Sequence, residues 1–598
     1  MPMYVNKQNA ENTVPLGETQ LEQVWNGNEN VVSQLVQSFE GKNTVALDGW
    51  YGVDWDALVQ ELGQAIQTPI EFLSAATLYQ SKESMDAYRA QFLDEGSFGV
   101  VNSEGTLAHL LDESKVQELK IKLENAQSLV VVYGPGAACK ELTSSYDSIV
   151  YFDKCQELML WNMWQHTLAP FGWNEPKSDY FWKEYYYCDF YLLLEQKKHL
   201  REQWNYYVEA NAPDTLKMMS RSVYDVVFSY LSTKPLKQVK VYSPGPWGAY
   251  RYRDLWEIDG LECNAWNRLA GPDLALLVQL GDVTFEVPTL NVMQYASNFV
   301  GSYIHETYPD LFPLEIWLDD GYFPEPQPAE RTSMPIHNHP STDYVNRHFN
   351  EPLGRYETYN IVEAYEGANS WMGFKEDVNP EEWETLCRES DEKKEPIQNW
   401  KEYIKNWPTK VGDLFWIPPG TTHAHGGNQM VLEMDTCPSV AGAEYSFFTY
   451  DFMRPTWDDE KKTMTAPPCR MQIEHGFDNE RWFREDYVKE NLKSKSEVIK
   501  WTKQYWIERY IPMEQSPFTV ERIFFDEIGE YTTNGKFLHA MTLTQGKRVT
   551  VRSKSNPSLS TSIDLFQAAL VPACFGDYEL VNEHEGRSIV TLMRWRKG

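Results

Sequence analysis

Paired cysteines are absent from this chain. Its eight cysteines are scattered over 598 residues, and no Cys-x-x-Cys pair occurs. Thiolate zinc sites are built from such pairs, and disulfide frameworks need a dense set of cysteines. We therefore expect reduced cysteines, and neither a disulfide frame nor a cysteine-bound zinc ion.

Long hydrophobic runs are missing as well. No apolar stretch approaches the roughly 20 residues that span a bilayer. The opening residues, MPMYVNKQNAENTVPLGETQ, show no basic segment followed by an apolar one, although a secretory signal peptide needs both parts. The sequence thus predicts a cytoplasmic protein with no membrane partner.

Positive charge is scarce, because 54 Lys and Arg face 87 Asp and Glu, which gives a net charge of −33. A field of that sign repels nucleic acids and anionic membranes, and we expect neither as a partner. It also repels a sugar phosphate, so any phosphate site has to concentrate Arg or Lys locally. The oligomeric state is left open.

The phosphate-binding loop GxxxxGK[ST] occurs nowhere in the chain, including the strand-and-turn segment 132–136. Around that segment, short apolar strands alternate with amphipathic helices, as in 43–51 followed by 53–66. This alternation favours an α/β layer with some parallel strands. We predict an α/β domain of unknown role that binds no nucleotide through a phosphate loop.

The pattern changes near Pro244-Gly245-Pro246-Trp247-Gly248, after which short strands are broken by frequent turn signals. Many short strands of this kind are typical of a sandwich or a barrel. The aromatic content of 14% also favours strands, and it suits pockets that bind carbohydrate.

His337-Asn338-His339 is the first metal-binding signal. In a strand, residues i and i+2 point to the same face, so both imidazoles enter one space. The turn Pro418-Pro419-Gly420 then returns the chain to the same interior at His423, and Glu357 lies between the two motifs. Three neutral imidazoles and one carboxylate suit a borderline divalent ion such as Zn, Fe, Mn or Ni.

Two further histidines lie near these motifs. His425 shares the strand face of His423 and is a rival ligand, with a place in the pocket beside the metal as the alternative. His348 falls in a predicted helix and is interpreted as structural. The order H-x-H…E…P-x-G-x-x-H resembles the signature of the cupin superfamily, which implies a β-barrel around the metal.

The predicted fold class is therefore multidomain. The expected order is a lead-in (1–29), the α/β domain (30–240), a cupin-type jelly-roll β-barrel (241–455) with a helical insert (376–407), a helical connector (456–510) and a second, smaller cupin-like β-barrel (511–598).

Residues 240–455 resemble the class I mannose-6-phosphate isomerases, or phosphomannose isomerases. The family's Q-V-H-P, G-K-T-E-x-W-Y-I and K-x-G-D-x-x-x-I-P-x-G-T-x-H-A motifs are similar to segments 337–340, 354–361 and 410–424. The chain departs from the family at His337, where the family has Gln, and at Arg355, where it has Lys. An Arg of the family is also missing from segment 443–448.

The resemblance implies aldose–ketose isomerisation of a hexose or hexose 6-phosphate, with one divalent ion, of which Zn is the first choice. It implies that Glu433, or else Asp435, moves a proton between C1 and C2, and that Arg355 binds phosphate or transition-state charge. Arg355 could instead pair with Glu351 or Asp343. Two other functions stay open: another metal-dependent cupin enzyme (a dioxygenase or an epimerase), and a non-catalytic sugar sensor.

Overall fold

The computed structural model describes residues 4–94, 96–180, 182–458 and 460–596. Over these ranges the strands are β1 (Tyr4–Asn6), β2 (Glu11–Thr13), β3 (Val24–Asn26), β4 (Thr44–Gly49), β5 (Ile70–Ser74), β6 (Leu129–Tyr133), β7 (Ser148–Asp153), β8 (Tyr206–Glu209), β9 (Lys217–Ser220), β10 (Lys240–Ser243), β11 (Trp266–Ala270), β12 (Ala275–Leu280), β13 (Val283–Pro288), β14 (Leu314–Asp320), β15 (Ile336–Asn338), β16 (Glu357–Ala364), β17 (Asn369–Phe374), β18 (Ile404–Pro408), β19 (Leu414–Ile417), β20 (His423–His425), β21 (Gln429–Thr436), β22 (Phe447–Tyr450), β23 (Thr456–Asp458), β24 (Thr463–Ala466), β25 (Ser496–Trp501), β26 (Tyr505–Tyr510), β27 (Phe518–Phe525), β28 (Ile528–Thr532), β29 (His539–Gln545), β30 (Arg548–Ser553), β31 (Ser560–Asp564), β32 (Ala568–Val571), β33 (Asp577–Asn582) and β34 (Ser588–Trp595).

The α-helices of the same ranges are α1 (Glu18–Leu21), α2 (Asn28–Phe39), α3 (Trp55–Ala65), α4 (Lys82–Ala90), α5 (Glu113–Glu124), α6 (Gln156–Trp164), α7 (Trp182–Glu184), α8 (Phe190–Leu200), α9 (Arg221–Leu231), α10 (Tyr252–Leu255), α11 (Ala296–Phe299), α12 (Ser302–Thr307), α13 (Ala329–Thr332), α14 (Thr342–Phe349), α15 (Pro380–Lys393), α16 (Ile473–Asn479) and α17 (Glu485–Tyr487). Within the described residues, none of these helices combines the length and the apolar character needed to cross a bilayer.

The chain divides into two compact units. The β unit contains Met1–Ala10, Ser232–Pro272 and Val292–Gly598, and the α/β unit contains Glu11–Leu231 and Asp273–Asn291. The prediction of a mixed α/β chain with several sheets is therefore confirmed. The predicted domain boundaries and the cupin assignment stay predictions.

The α/β unit is built on a seven-stranded sheet of order β3-β9-β8-β7-β4-β6-β5. The five strands from β5 to β8 pair in parallel. All six residues of β4 are buried, as a strand covered by helices on both faces requires. The hairpin β12–β13 also belongs to this unit, where β12 pairs in parallel with β2.

The β unit contains two antiparallel sheets that face each other around one core. Their orders are β1-β10-β11-β14-β21-β16-β19 and β18-β17-β20-β15-β22. Tyr359 and Val431 from the first sheet and Met372 from the second share a hydrophobic cluster. The candidate metal ligands lie between these two sheets.

Two further sheets follow in the C-terminal part of the β unit. Their strand orders are β25-β26-β27-β34-β29-β32 and β28-β33-β30-β31. They share a second core, to which Ile523, Leu592, Val551 and Leu580 contribute.

A helical connector over 456–510 is wrong for much of its length, since β23, β24, β25 and β26 lie within it. The strand β25 is exposed at every position, so its sequence shows no inward–outward alternation that would distinguish it from an exposed helix. In the predicted insert 376–407, the helix α15 ends at Lys393, and the segment then extends as β18 to pair with β17.

Candidate metal centre and catalytic pocket

The four predicted metal ligands meet between the two facing sheets. His337 on β15 lies directly opposite His423 on β20, His339 follows β15, and Glu357 begins β16 in the other sheet. The ring centroids of His337 and His423 are 4.1 Å apart, and His339 lies 5.0 Å from each. One ligand atom from each of the four residues lies within 4.8 Å of the others, and all four side chains are buried.

Each imidazole is oriented by a backbone carbonyl. The Nδ1 atoms of His337, His339 and His423 lie 2.7, 3.0 and 2.8 Å from the carbonyl oxygens of Pro335, Tyr445 and Thr421. A carbonyl accepts only, so each Nδ1 carries the proton and each Nε2 presents a lone pair. Such anchoring of the remote nitrogen is typical of metal-binding histidines.

The lone pairs at the centre face another acceptor. Glu357 Oε2 lies 2.6 Å from His339 Nε2 and 2.9 Å from His423 Nε2, yet these three buried atoms have no hydrogen-bond partner within the described residues. Two lone pairs at this distance repel unless a cation lies between them. The donor set therefore fits a divalent ion.

The protonation states agree with this interpretation. Burial lowers the pKa of His337 well below its usual value, and the neighbouring His423 and His339 lower it further. Burial also lowers the pKa of His339. Burial raises the pKa of Glu357, but its electrostatic interaction with His339 and His423 outweighs burial and leaves that pKa well below its usual range. Neutral imidazoles at His337 and His339 and an ionised carboxylate are the forms that bind metal.

The turn before His423 requires glycine. Gly420 has a φ of +79°, and a Cβ at this position would lie 2.3 Å from the carbonyl oxygen of Asn479. Its N–H donates to the carbonyl of His339 at 2.8 Å. The turn therefore ties the last predicted ligand to the first motif.

Beside the centre lies a group of buried carboxylic acids. Strands β14 and β21 pair so that Glu315 is opposite Asp435 and Trp317 is opposite Glu433. Burial raises the pKa of Asp319 to about 7. Burial also raises the pKa of Glu433 well above its usual range, with Asp319 and Glu357 adding to the shift. Acids with raised pKa values are suited to moving protons near neutral pH.

Arg355 is surrounded by carboxylates. Its Nη2 donates to Asp435 Oδ2 at 2.9 Å and lies 3.7 Å from Glu433 Oε2, while its Nη1 lies 3.6 Å from Glu315 Oε1 and 3.7 Å from Glu444 Oε2. The guanidinium is thus paired with carboxylates of the protein, which is the second of the two roles predicted for Arg355 from its sequence position. These carboxylates are not the two that were expected, Glu351 and Asp343.

Neither expected partner of Arg355 is among these carboxylates. Glu351 is buried and accepts a hydrogen bond from the Tyr445 hydroxyl at 2.9 Å, and burial raises its pKa to about 8. Asp343 lies in the first turn of α14. Sequence spacing favoured both because they are close along the chain, whereas Asp435 is 80 residues away.

A cavity of about 80 Å³ opens onto the centre. Trp247, Trp266 and Trp317 line it, and the rings of the first two stack 5.1 Å apart. Glu433 lines it as well, with its Oε1 unpaired among the described residues, whereas Asp435 does not.

The tryptophan wall of the cavity, formed by Trp247, Trp266 and Trp317, and the nearby Asp319 were not predicted from the sequence. Trp317 and Asp319 share a strand face with Glu315, so parity along 314–320 could have found them. Trp247 lies in a turn, and no local pattern places it near the metal centre.

The two other histidines lie outside the ligand group. His425 is buried, with its Nδ1 3.0 Å from Gln429 Nε2, and burial lowers its pKa to about 3. His348 lies in α14, where its ring stacks on Tyr344 at 4.2 Å.

Comparisons with known proteins found a family model, curated relatives and solved structures. A family model described as a domain of unknown function (DUF8485) matches residues 27–233. The chain is 25% identical over 159 residues to a probable mannose-6-phosphate isomerase, GmuF, of Bacillus subtilis, covering 26% of this chain and 43% of that protein. It is 28% identical over 131 residues to a mannose-6-phosphate isomerase of Streptococcus mutans, covering 22% and 37%. The chain spans less than half the length of these relatives.

Solved structures of proteins named mannose 6-phosphate isomerase also align with this chain. The mannose 6-phosphate isomerase of Bacillus subtilis aligns with a TM-score of 0.46 at 16% identity, covering 60% of this chain and 99% of that one. A zinc-bound mannose 6-phosphate isomerase aligns with a TM-score of 0.42 at 9% identity, covering 61% and 100%.

Proposed function

We propose that this chain is a metal-dependent aldose–ketose isomerase that acts on a hexose or a hexose 6-phosphate. The observation that carries the proposal is the convergence of three carbonyl-anchored imidazoles and Glu357 beside the buried acid Glu433. The curated relatives, which are named mannose-6-phosphate isomerases, support the reaction class.

His337, His339, Glu357 and His423 would hold the ion. A bound divalent ion, with Zn as first choice, would polarise the sugar oxygens and stabilise the negative charge of an enediolate. The anchored Nδ1 atoms hold the three rings in place, so little reorganisation is needed when a ligand binds. The tryptophan wall excludes water and offers flat apolar faces to a sugar ring.

Glu433 is the proposed carrier of the proton between C1 and C2. It lines the cavity, and one of its oxygens has no partner among the described residues. Its raised pKa lets it accept a proton from one carbon and return it to the other. Asp435, the second candidate from the sequence, is held by Arg355 at 2.9 Å.

Arg355 is proposed as a positioning residue. Its Nη2 lies between Asp435 and Glu433, so it fixes the acid that borders the cavity and offsets part of the negative charge there. Its sequence-based role as a phosphate ligand competes with these contacts.

The test combines metal analysis with a proton-exchange assay. The purified chain is expected to contain one divalent ion, and NMR in D₂O should show deuterium entering C2 of one or more sugars from a panel of hexoses and hexose 6-phosphates. Glu433→Gln should lower the exchange rate at least 100-fold, as loss of a general acid–base does, and keep its metal. Exchange that persists in this variant would remove Glu433 from the mechanism.

Two outcomes would favour the other functions. Oxygen consumption that requires iron indicates a dioxygenase. Sugar binding without any exchange at C2, in protein that carries its metal, indicates a sensor. Either result would refute the isomerase proposal.

A further inference from the structure

The cavity that borders the candidate metal centre is poor in cationic side chains among the described residues. Of the described residues that line it, Arg355 is the only Lys or Arg, against the four carboxylic acids Asp319, Glu357, Glu433 and Glu444. A phosphate ester is bound in proteins mainly by such cations or by clustered backbone N–H groups. Apart from the proposed divalent ion, Arg355 is therefore the cation that an anionic sugar would meet among the described residues of this cavity.

That charge is already matched. Arg355 Nη2 is hydrogen-bonded to Asp435 at 2.9 Å, and three further carboxylates lie within 3.7 Å of its guanidinium. A phosphate that took this guanidinium would leave Asp435 buried beside it without its donor, and would itself lie next to Glu444. Like charges at such distances repel strongly in a partly buried site.

The nearby arginines outside the cavity are also engaged. Arg268 pairs with Glu315 and lies over the ring of Trp317 at 4.6 Å. Arg331 donates to the carbonyls of Pro246 and Gly248 at 2.8 Å each, which holds the turn that carries Trp247. These contacts build the wall of the cavity, and they direct the guanidinium groups away from a ligand.

The groups left for a ligand suit neutral hydroxyls. The indole N–H groups of Trp247 and Trp317 are buried and have no acceptor among the described residues. Buried donors of this kind normally find a partner, and a sugar hydroxyl is one that carries no charge. Glu433 can accept from another hydroxyl, and stacked indoles favour the C–H faces of a sugar ring.

We infer that the substrate of the proposed isomerase is an unphosphorylated hexose, and that the carboxylates around Arg355 exclude its 6-phosphate. The inference rests on the proposed function for its reaction and on the charges of the cavity for its selectivity. The net charge of −33 acts in the same direction on any anionic ligand.

The experiment compares mannose, glucose and fructose with their 6-phosphates on the metal-loaded full chain. Exchange at C2 of the aldoses, and at C1 of fructose, gives kcat/KM, and isothermal titration gives Kd. We expect kcat/KM for at least one neutral hexose to exceed that for its 6-phosphate tenfold or more, with the same order in Kd. A preference for the phosphate overturns the inference and leaves the isomerase intact. Selective binding of the neutral sugar without exchange overturns the isomerase and leaves the selectivity intact. Binding of neither sugar overturns the inference.

Salt and charge variants give an independent readout. Raising the ionic strength from about 0.01 M to 0.15 M shortens the screening length from about 30 Å to 8 Å. If carboxylates repel the phosphate, salt should raise kcat/KM for the 6-phosphate and not for the neutral sugar. Salt should lower it if a cation attracts the phosphate, and that result would overturn the inference.

Glu444→Gln should raise the ratio of kcat/KM for the 6-phosphate to that for the neutral hexose at least threefold. Glu392→Gln, an exposed position on α15, changes the total charge equally and serves as the matched control. An equal rise in both variants would show that net charge, rather than the cavity, sets the selectivity, and would overturn the inference.

Discussion

Replacing Arg355 with Met tests whether one guanidinium holds the buried acids of the β unit together. Methionine is uncharged, so Asp435 loses its hydrogen-bonded cation while remaining buried, whereas Glu315 keeps its pairing with Arg268. Removing one partner of a buried ion pair costs about 3–5 kcal/mol, because the other charge is left uncompensated. We expect the opening free energy of β16 and β21 to fall by about that amount at pH 7.

The sign of the pH dependence follows from Asp435. Burial already raises its pKa well above the usual value, and Arg355 opposes that shift. In Arg355→Met the folded-state pKa of Asp435 rises further above the unfolded value, so the folded protein binds the extra proton and loses stability as the pH rises. The deficit should be smaller at pH 5 than at pH 8.

Native-state hydrogen exchange measures this locally. Amides of β16 and β21 report on the β unit, and amides of β4 in the α/β unit serve as the internal reference. The double variant Arg355→Met/Asp435→Asn should recover about 1–3 kcal/mol, the usual coupling of contacting residues. A loss below about 1 kcal/mol, or no recovery in the double variant, would refute the view that Arg355 neutralises this cluster.

Three further predictions address the metal, a buried acid and the α/β unit. His423→Ala should lose at least 90% of the bound divalent ion by elemental analysis; a variant that keeps stoichiometric metal would show that His423 is not a ligand. Burial raises the pKa of Glu351 from 4.5 to about 8. The free energy of unfolding of the wild type should therefore fall relative to that of Glu351→Gln as the pH rises from about 5 to 8. An equal difference between the two proteins in urea titrations at pH 5 and pH 8 would contradict this. Mutation of the turn after β6 (134–136) should leave any titration heat with millimolar ATP unchanged, because that turn carries no phosphate-binding loop; saturable ATP binding that the mutation abolishes would oppose the prediction.

The candidate ligands could be predicted from the sequence because their geometry is local. The parity of a strand places His337 and His339 on one face, and a glycine turn returns the chain to His423. Segments 337–339 and 418–423 are short, so backbone geometry alone limits where their side chains point. The order of the motifs also located Glu357 between them. Their roles as ligands and that of Glu433 as a proton carrier stay predictions.

The edge strand β25 shows why some strands are harder to predict from this sequence than the metal-binding motifs. The strand β25 is exposed on both faces and pairs with β26 along one edge, so it joins the sheet without any buried side chain. Hydrophobic alternation arises only where one face is covered. A strand without a covered face therefore leaves no pattern in the sequence.

The partners of Arg355 and the walls of the cavity were decided only by tertiary structure. Arg355 meets Asp435 because β16 and β21 are neighbours in one sheet, although 80 residues separate the two side chains. Trp247 and Trp266 come from a segment well before the first histidine motif, and they reach the site through the pairing of β10, β11 and β14. Local sequence determines which way a side chain points from its own strand, whereas the charge and shape that it meets depend on which distant strands lie beside it.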